Sequence, residues 1–252
     1  MLEPLKVSYF SQDIYQQSVT PTEALDTVRI LQDGRTFAYA RNGGTALGVG
    51  VLTTSLAADA DTIDENGVEI AAAGAKTIKV TFAGTHTFDG DYYKDGWLWV
   101  NDATGEGQIA KIKGHEASTA ANSYTVYIDL WDPIRVATAV TTSQLSVYCN
   151  RQDKLVISAT TLAGMVAGVA PIAVSANYYF WNQVKGPATV LIDIQGAEAI
   201  VIGNPVCRAP DVAGAVAGQL AAGNSVLADL GTVMSTQATA EYGLINLAIP
   251  GY

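Results

Sequence analysis

The sequence predicts an all-β protein: an antiparallel β-sandwich or barrel with little helix, an extended N-terminal arm and long loops. Two observations carry this. Short apolar or alternating runs recur along the chain, each closed by glycine, proline or an Asp-Gly type turn, the punctuation of antiparallel hairpins. The alternation is strict where it is longest, in Lys76–Phe82, which sets Ile78, Val80 and Phe82 on one face, and in Tyr124–Leu130.

Taken in order, residues 1–27 read as an arm. Leu2, Leu5, Val7, Tyr9, Phe10, Ile14 and Tyr15 are spread through polar residues with neither a helical nor a strand period. Large apolar side chains without a period must lie on something, either their own domain or a neighbouring subunit. Leu2, Leu5, Tyr9, Phe10, Ile14 and Tyr15 are therefore the candidate interface residues, and removal of residues 1–20 is expected to leave the β domain folded. Thr20-Pro21-Thr22-Glu23 is a capping-box pattern with proline at the first helical position, which predicts a short helix.

From Val28 the signals are β. Asp33-Gly34 between Val28–Leu31 and Thr36–Tyr39 predicts a two-residue type I′ hairpin with both central residues at positive φ. Trp97–Asn101 and Gln108–Ile112 flank a turn-rich segment, and further strands are expected at 144–148, 154–158, 177–184, 188–194, 198–202, 225–230 and 242–247. Segments 46–75 and 209–224 are ambiguous; the glycine-rich run 213–223 reads as a compact loop. A faint echo links 168–186 with 231–251, each a strand, a polar turn, an aromatic-led strand and glycine, which suggests two similar hairpins of one domain. The expected organisation is an arm over 1–27, a β domain over 28–150, and a second β region over 151–252, packed either separately or with the first.

Composition restricts function. The chain of 252 residues carries a net charge of −10 and only 15% charged residues, against about 25% in an ordinary soluble domain. The basic residues are scattered, so neither nucleic acid nor an anionic membrane is an expected partner. The N-terminus lacks a signal-peptide pattern, and the most apolar window, Leu162–Val174, is short and interrupted by Gly164, Gly168 and Pro171. A soluble, unexported protein is expected. Cys149 and Cys207 read as two buried thiols of a protein made in a reducing cytoplasm.

Chemistry fits poorly. The clusters Asp59-Ala-Asp61-Thr-Ile-Asp64-Glu65 and Asp89-Gly-Asp91-Tyr-Tyr-Lys-Asp95 offer carboxylates, but the order fails the EF-hand pattern. His86 and His115 are the only histidines, and neither has a partner at zinc-ligand spacing; His86 is expected at a surface turn. There is no Gly-x-Ser-x-Gly elbow and no Walker A loop. No catalytic residue, cofactor or metal is assigned, and the chain is expected not to be an enzyme. The aromatics Trp97, Trp99, Trp131, Tyr178, Tyr179, Phe180 and Trp181 suit either a sugar-stacking platform or a core and subunit interface, the second being preferred because an aromatic strand must turn one set inward.

A weakly charged chain with many strand edges has difficulty covering itself with polar groups, and burial against other copies removes the difficulty. A permanent assembly is therefore expected. Gly96-Trp-Leu-Trp-Val-Asn-Asp-Ala-Thr-Gly-Glu-Gly107 with Ile109–Lys113, and Tyr178-Tyr-Phe-Trp-Asn-Gln-Val-Lys-Gly-Pro-Ala188, resemble segments of virion structural proteins of tailed bacteriophages. The pattern of an apolar strand, Ala-Asn-Tyr, an aromatic strand and glycine also resembles small β-rich capsid decoration proteins. The resemblance covers roughly residues 90–190 and supplies no catalytic residues. It implies a subunit made in the host cytoplasm and bound to the capsid exterior. The implied partners are the major capsid protein and itself, as a homo-oligomer and typically a trimer. The alternative implied role is a tail-associated or head-fibre adhesion module binding host glycans, which exposed Trp97, Trp99 or Trp131 would favour.

Overall fold

A computed structural model describes residues 10–83, 85–194, 200–219, 229–238 and 240–252. The protein is nearly all β, with antiparallel sheets throughout. The chain enters β1 (Val28–Ile30), β2 (Thr36–Arg41) and β3 (Leu52–Thr54). It continues through β4 (Glu65–Gly67), β5 (Thr77–Thr81), β6 (Trp97–Asp102), β7 (Ile109–His115), β8 (Thr125–Leu130) and β9 (Gln144–Tyr148). Then come β10 (Val156–Ile157), β11 (Val166–Val169), β12 (Tyr179–Leu191), β13 (Val206–Arg208), β14 (Val216–Gly218), β15 (Gly231–Val233) and β16 (Tyr242–Ala248). Short 3₁₀ turns at Ala60–Thr62 and Ala120–Asn122 are the helical elements among the described residues, and none is long and apolar enough to cross a membrane.

Two compact units divide the chain: Met1–Ser55 with Gln152–Tyr252, and Leu56–Arg151. The expected division at 28–150 and 151–252 is corrected accordingly. The second unit is an insertion. Its flanking strands β3 and β10 pair antiparallel, Val156 opposite Thr54, so the chain leaves and re-enters the first unit at adjacent points. The composition change near 150–155 marks the return, while the exit after Ser55 falls inside the ambiguous stretch 46–75.

The first unit is an eight-stranded sheet, ordered β1-β2-β12-β11-β3-β10, with β16 added to β12 and β15 to β16. The echoed segments are the hairpins β11–β12 and β15–β16 of this one sheet. β12 serves two neighbours in turn: Tyr179–Lys185 lies along β2 and Lys185–Leu191 along β16. The sequence expected two strands here, split at Gly186-Pro187. Ile249 N–H donates to Val184 O at 3.0 Å and Ile192 N–H to Glu241 O at 2.9 Å. By antiparallel alternation Pro187 then meets Asn246 at a non-hydrogen-bonded pair, where its missing N–H loses no ladder bond. Gly186 supplies the bend, with φ of +86° and the Arg35 Cα only 3.0 Å from where a Cβ would sit. On one side of the sheet Val169, Val184, Val190, Ile245 and Leu247 form the main core; Phe37, Tyr39 and Trp181 are buried in a second cluster with Ile14. β13 and β14 pair apart from this sheet; β14 lies inside 213–223, whose described part thus holds a strand rather than loop alone.

The second unit is a closed barrel, β4-β5-β8-β7-β6-β9. Alternation fills it: Ile78, Val80, Leu98, Val100, Ile112, Val126, Ile128, Leu130, Leu145 and Val147 are all buried. Phe82 joins this cluster, completing the face expected of Lys76–Phe82.

Two local expectations are corrected. No helix follows Thr20-Pro21. The backbone N–H and hydroxyl of Thr22 are bound by the Tyr39 hydroxyl, both at 3.0 Å, and Asp26 at φ 68° turns the chain into β1. Too few residues remain to offset helix nucleation. The β1–β2 hairpin forms, but with a three-residue loop. Gly34 N–H donates to Leu31 O and Leu31 N–H to Arg35 O, and of the expected pair only Gly34, at φ +85°, is left-handed. This is a type I turn closed by a glycine bulge, held because the Asp33 carboxylate accepts from Arg35 N–H at 3.0 Å and from its Nε at 2.8 Å. Of the expected strand 198–202, positions 200–202 are described and are not in a strand; the expected strand 225–230 lies largely outside the described residues, and 229 and 230 are not in a strand.

Candidate functional site

The described part of the arm is fastened to its own unit. Phe10 meets Trp181 edge-on at 5.1 Å, and Ile14 is buried beside it. Between them Gln12 is buried and fully used. Its carbonyl accepts from Trp181 Nε1 at 3.0 Å, its Oε1 accepts from the Tyr39 hydroxyl at 2.8 Å, and its Nε2 donates to Gln16 O at 2.8 Å. Of the candidate interface residues, Phe10 and Ile14 are thus covered by their own chain, and Tyr15 stays 55% exposed with its hydroxyl accepting from Arg35. Leu2, Leu5 and Tyr9 lie outside the described residues. Gln12, which the sequence reading passed over, is the hinge pin of this segment; a glutamine among polar neighbours gives no sign of burial.

β1 ends the sheet. Tyr39 N–H donates to Thr27 O and Leu31 N–H to Arg35 O, so alternation turns the backbone groups of Val28 and Ile30 away from β2. Their side chains are 43% and 71% exposed. Arg29 gives this edge no charge, because its guanidinium is drawn inward to Gln12 O at 2.9 Å and over the Phe10 ring at 5.0 Å. Among the described residues no strand pairs with the outer side of β1.

On the barrel, Asp59, Asp61 and His86 converge. His86 Nδ1 lies 3.5 Å from Asp59 Oδ2 and 3.9 Å from Asp61 Oδ2, while its Nε2 is 3.3 Å from the Tyr93 hydroxyl. The imidazole is mostly buried and packs 5.4 Å from Phe88, which corrects its expected place at a surface turn. Burial holds the Tyr93 phenol far above its ordinary range, so it remains a proton donor. A cavity of about 390 Å³ opens beside Asp59, Thr62, Tyr92, Tyr93 and Cys149. Two carboxylates and an imidazole are a donor set for a divalent cation; they equally satisfy one another when the imidazole is protonated. Spacing in sequence did not join His86 to the acidic cluster, because the barrel brings them together from separate loops.

The barrel's outer face carries the other constellation. Trp97 on β6 stands opposite Tyr148 on β9 and Lys111 on β7. Trp131, just past β8, donates its backbone N–H to Lys111 O at 2.9 Å and so continues the row. The neighbours Leu98, Ile112 and Leu130 fill the interior, which forces this row outward. Trp97 is 41% and Trp131 52% exposed. Lys113 Nζ lies 5.4 Å above the Trp131 ring, and the Asp132 carboxylate accepts from Lys111 N–H at 3.3 Å.

No family model, curated protein or solved structure matches this chain. The site is therefore read from its own geometry. That geometry splits the aromatic set: Phe180 and Trp181 are core, Trp97 and Trp131 are surface. Cys149 and Cys207 are both buried thiols, as expected, and burial raises the Cys207 thiol above its ordinary value.

Proposed function

We propose that the chain is a non-enzymatic structural protein of a virion, a decoration or cement subunit that binds the outside of a phage head. Its partners are the major capsid protein and further copies of itself, a trimer being the expected form. The supporting observation is the short apolar edge of β1, uncovered among the described residues, in a chain with only 15% charged residues. Natural sheets guard such an edge with lysine, proline, a bulge or a covering element. An edge left open, with Val28 and Ile30 beside unpaired backbone groups, suits strand addition by a neighbour.

Binding on a lattice stabilises by mass action: a subunit that binds only the assembled shell shifts the equilibrium toward it. Bridging several capsomers multiplies modest single contacts. The excess of acidic residues suits an outer position, away from packaged nucleic acid. Adding the purified protein to heads that lack it tests the reading. Wild type is expected to bind and to raise the temperature at which the heads rupture, and Ile30→Lys, folded by far-UV circular dichroism, is expected to bind much more weakly. Failure of wild type to bind, or equal binding by both, contradicts it.

A further inference from the structure

We infer that the outer face of β6, β7 and the end of β8 is a carbohydrate-binding surface, with Trp97 and Trp131 stacking on sugar rings. The inference goes beyond the lattice role and rests on a different unit. Trp97 and Trp131 lie on one transverse row with Lys111 between them. Two strand spacings, roughly 10 Å, separate the backbones that carry the indoles, the reach of a short oligosaccharide laid across the strands.

The groups around the indoles decide the class of ligand. Lys111 and Lys113 bring donors, Asp132 brings an acceptor, and Asp129 stands on the same outward side of β8, bound by the Thr77 hydroxyl at 2.7 Å. A protein interface is depleted of charge at its centre, whereas here charged groups of both signs flank the rings. Nucleic acid also stacks on indoles, but its phosphates need a clear excess of cations, and the two carboxylates cancel the two ammonium groups. A sugar matches both features: its C–H face is apolar, and its hydroxyl rim donates and accepts. Lys113 Nζ lies 5.4 Å over the Trp131 ring, so a sugar stacks on the opposite face or displaces the ammonium to its hydroxyl rim.

The test is an array of hexose and N-acetylhexosamine oligosaccharides and bacterial O-polysaccharides, probed with the full chain. Wild type is expected to bind at least one glycan. Trp97→Ala and Trp131→Ala are each expected to weaken that binding about tenfold, the loss of roughly 1.4 kcal/mol, while the phenylalanine variants retain most of it. The Ile30→Lys variant leaves this face untouched and should bind glycan as wild type does, which separates this inference from the lattice reading. No binding to any glycan overturns the inference, as does undiminished binding by the double alanine variant. So does a double variant that loses self-association or head binding in place of glycan, since the face is then a protein interface.

Discussion

Trp181 ties the N-terminal segment to the sheet of the first unit. It is fully buried, meets Phe10 and Tyr39 edge-on at 5.1 and 5.0 Å, and donates its indole N–H to Gln12 O. The sequence required that one set of the aromatic strand 178–182 turn inward without saying which, and Trp181 and Phe180 are both buried. It could not mark Gln12, whose burial depends on Tyr39 and Trp181 arriving from distant strands. Replacing Gln12 with alanine leaves the buried Tyr39 hydroxyl short of its acceptor and should cost about 1–3 kcal/mol of unfolding free energy in denaturant titrations. For the same reason, deletion of residues 1–20 should destabilise the first unit, where the sequence led to the expectation that the β domain would stay folded and only attachment to a partner or to itself would weaken. Glu65 is the matching case in the barrel. Burial raises its carboxyl above the ordinary value, a backbone hydrogen bond from Ala83 opposes this, and Asp61 and Asp64 add to the rise. The folded state thus binds the proton more tightly than the unfolded one. The stabilisation is full below about pH 4.3, the unfolded value, and is lost as pH rises through the folded value. Glu65→Gln should therefore raise the barrel's melting temperature near neutral pH, with the gain vanishing below about pH 4.

At the scale of elements, legibility followed geometry. β5 and β8 were visible because a barrel strand with one buried face alternates strictly, as Ile78, Val80, Val126 and Ile128 do. β12 was misread as two strands because proline is a strand breaker except where no ladder bond is needed, and the register that spares Pro187 is set by β16, far along the chain. The short helix after Thr20 failed because Tyr39 takes the hydrogen bonds that a cap would have supplied. Trp97 and Trp131 were legible as aromatics, but only the β6–β7–β8 register shows that they share one outward row. His86 joined Asp59 and Asp61 through loop placement that no local pattern announces.

At the scale of the whole molecule, the insertion was hard to see in the sequence: only its return near 150–155 carried a composition change, and its exit fell inside the ambiguous stretch 46–75. Its physical logic is the β3–β10 pairing, Val156 opposite Thr54, which brings the points of exit and re-entry near each other. Re-entry is anchored by Asp153, buried and paired with Arg41 through two bonds of 2.6 and 2.9 Å. Excising 56–151 and bridging the ends with a short Gly-Ser linker should leave the first unit folded, as a cooperative thermal transition with a far-UV β spectrum would report.

The central claim is that this weakly charged chain is held by neighbours through the open edge of β1. Sedimentation velocity of the purified protein over a range of concentrations tests it most directly, with wild type beside Ile30→Lys. The account predicts a defined oligomer for wild type, a trimer in the expected form, and dissociation of a folded Ile30→Lys. A wild-type monomer at every concentration, or an oligomer indifferent to the lysine, would contradict it.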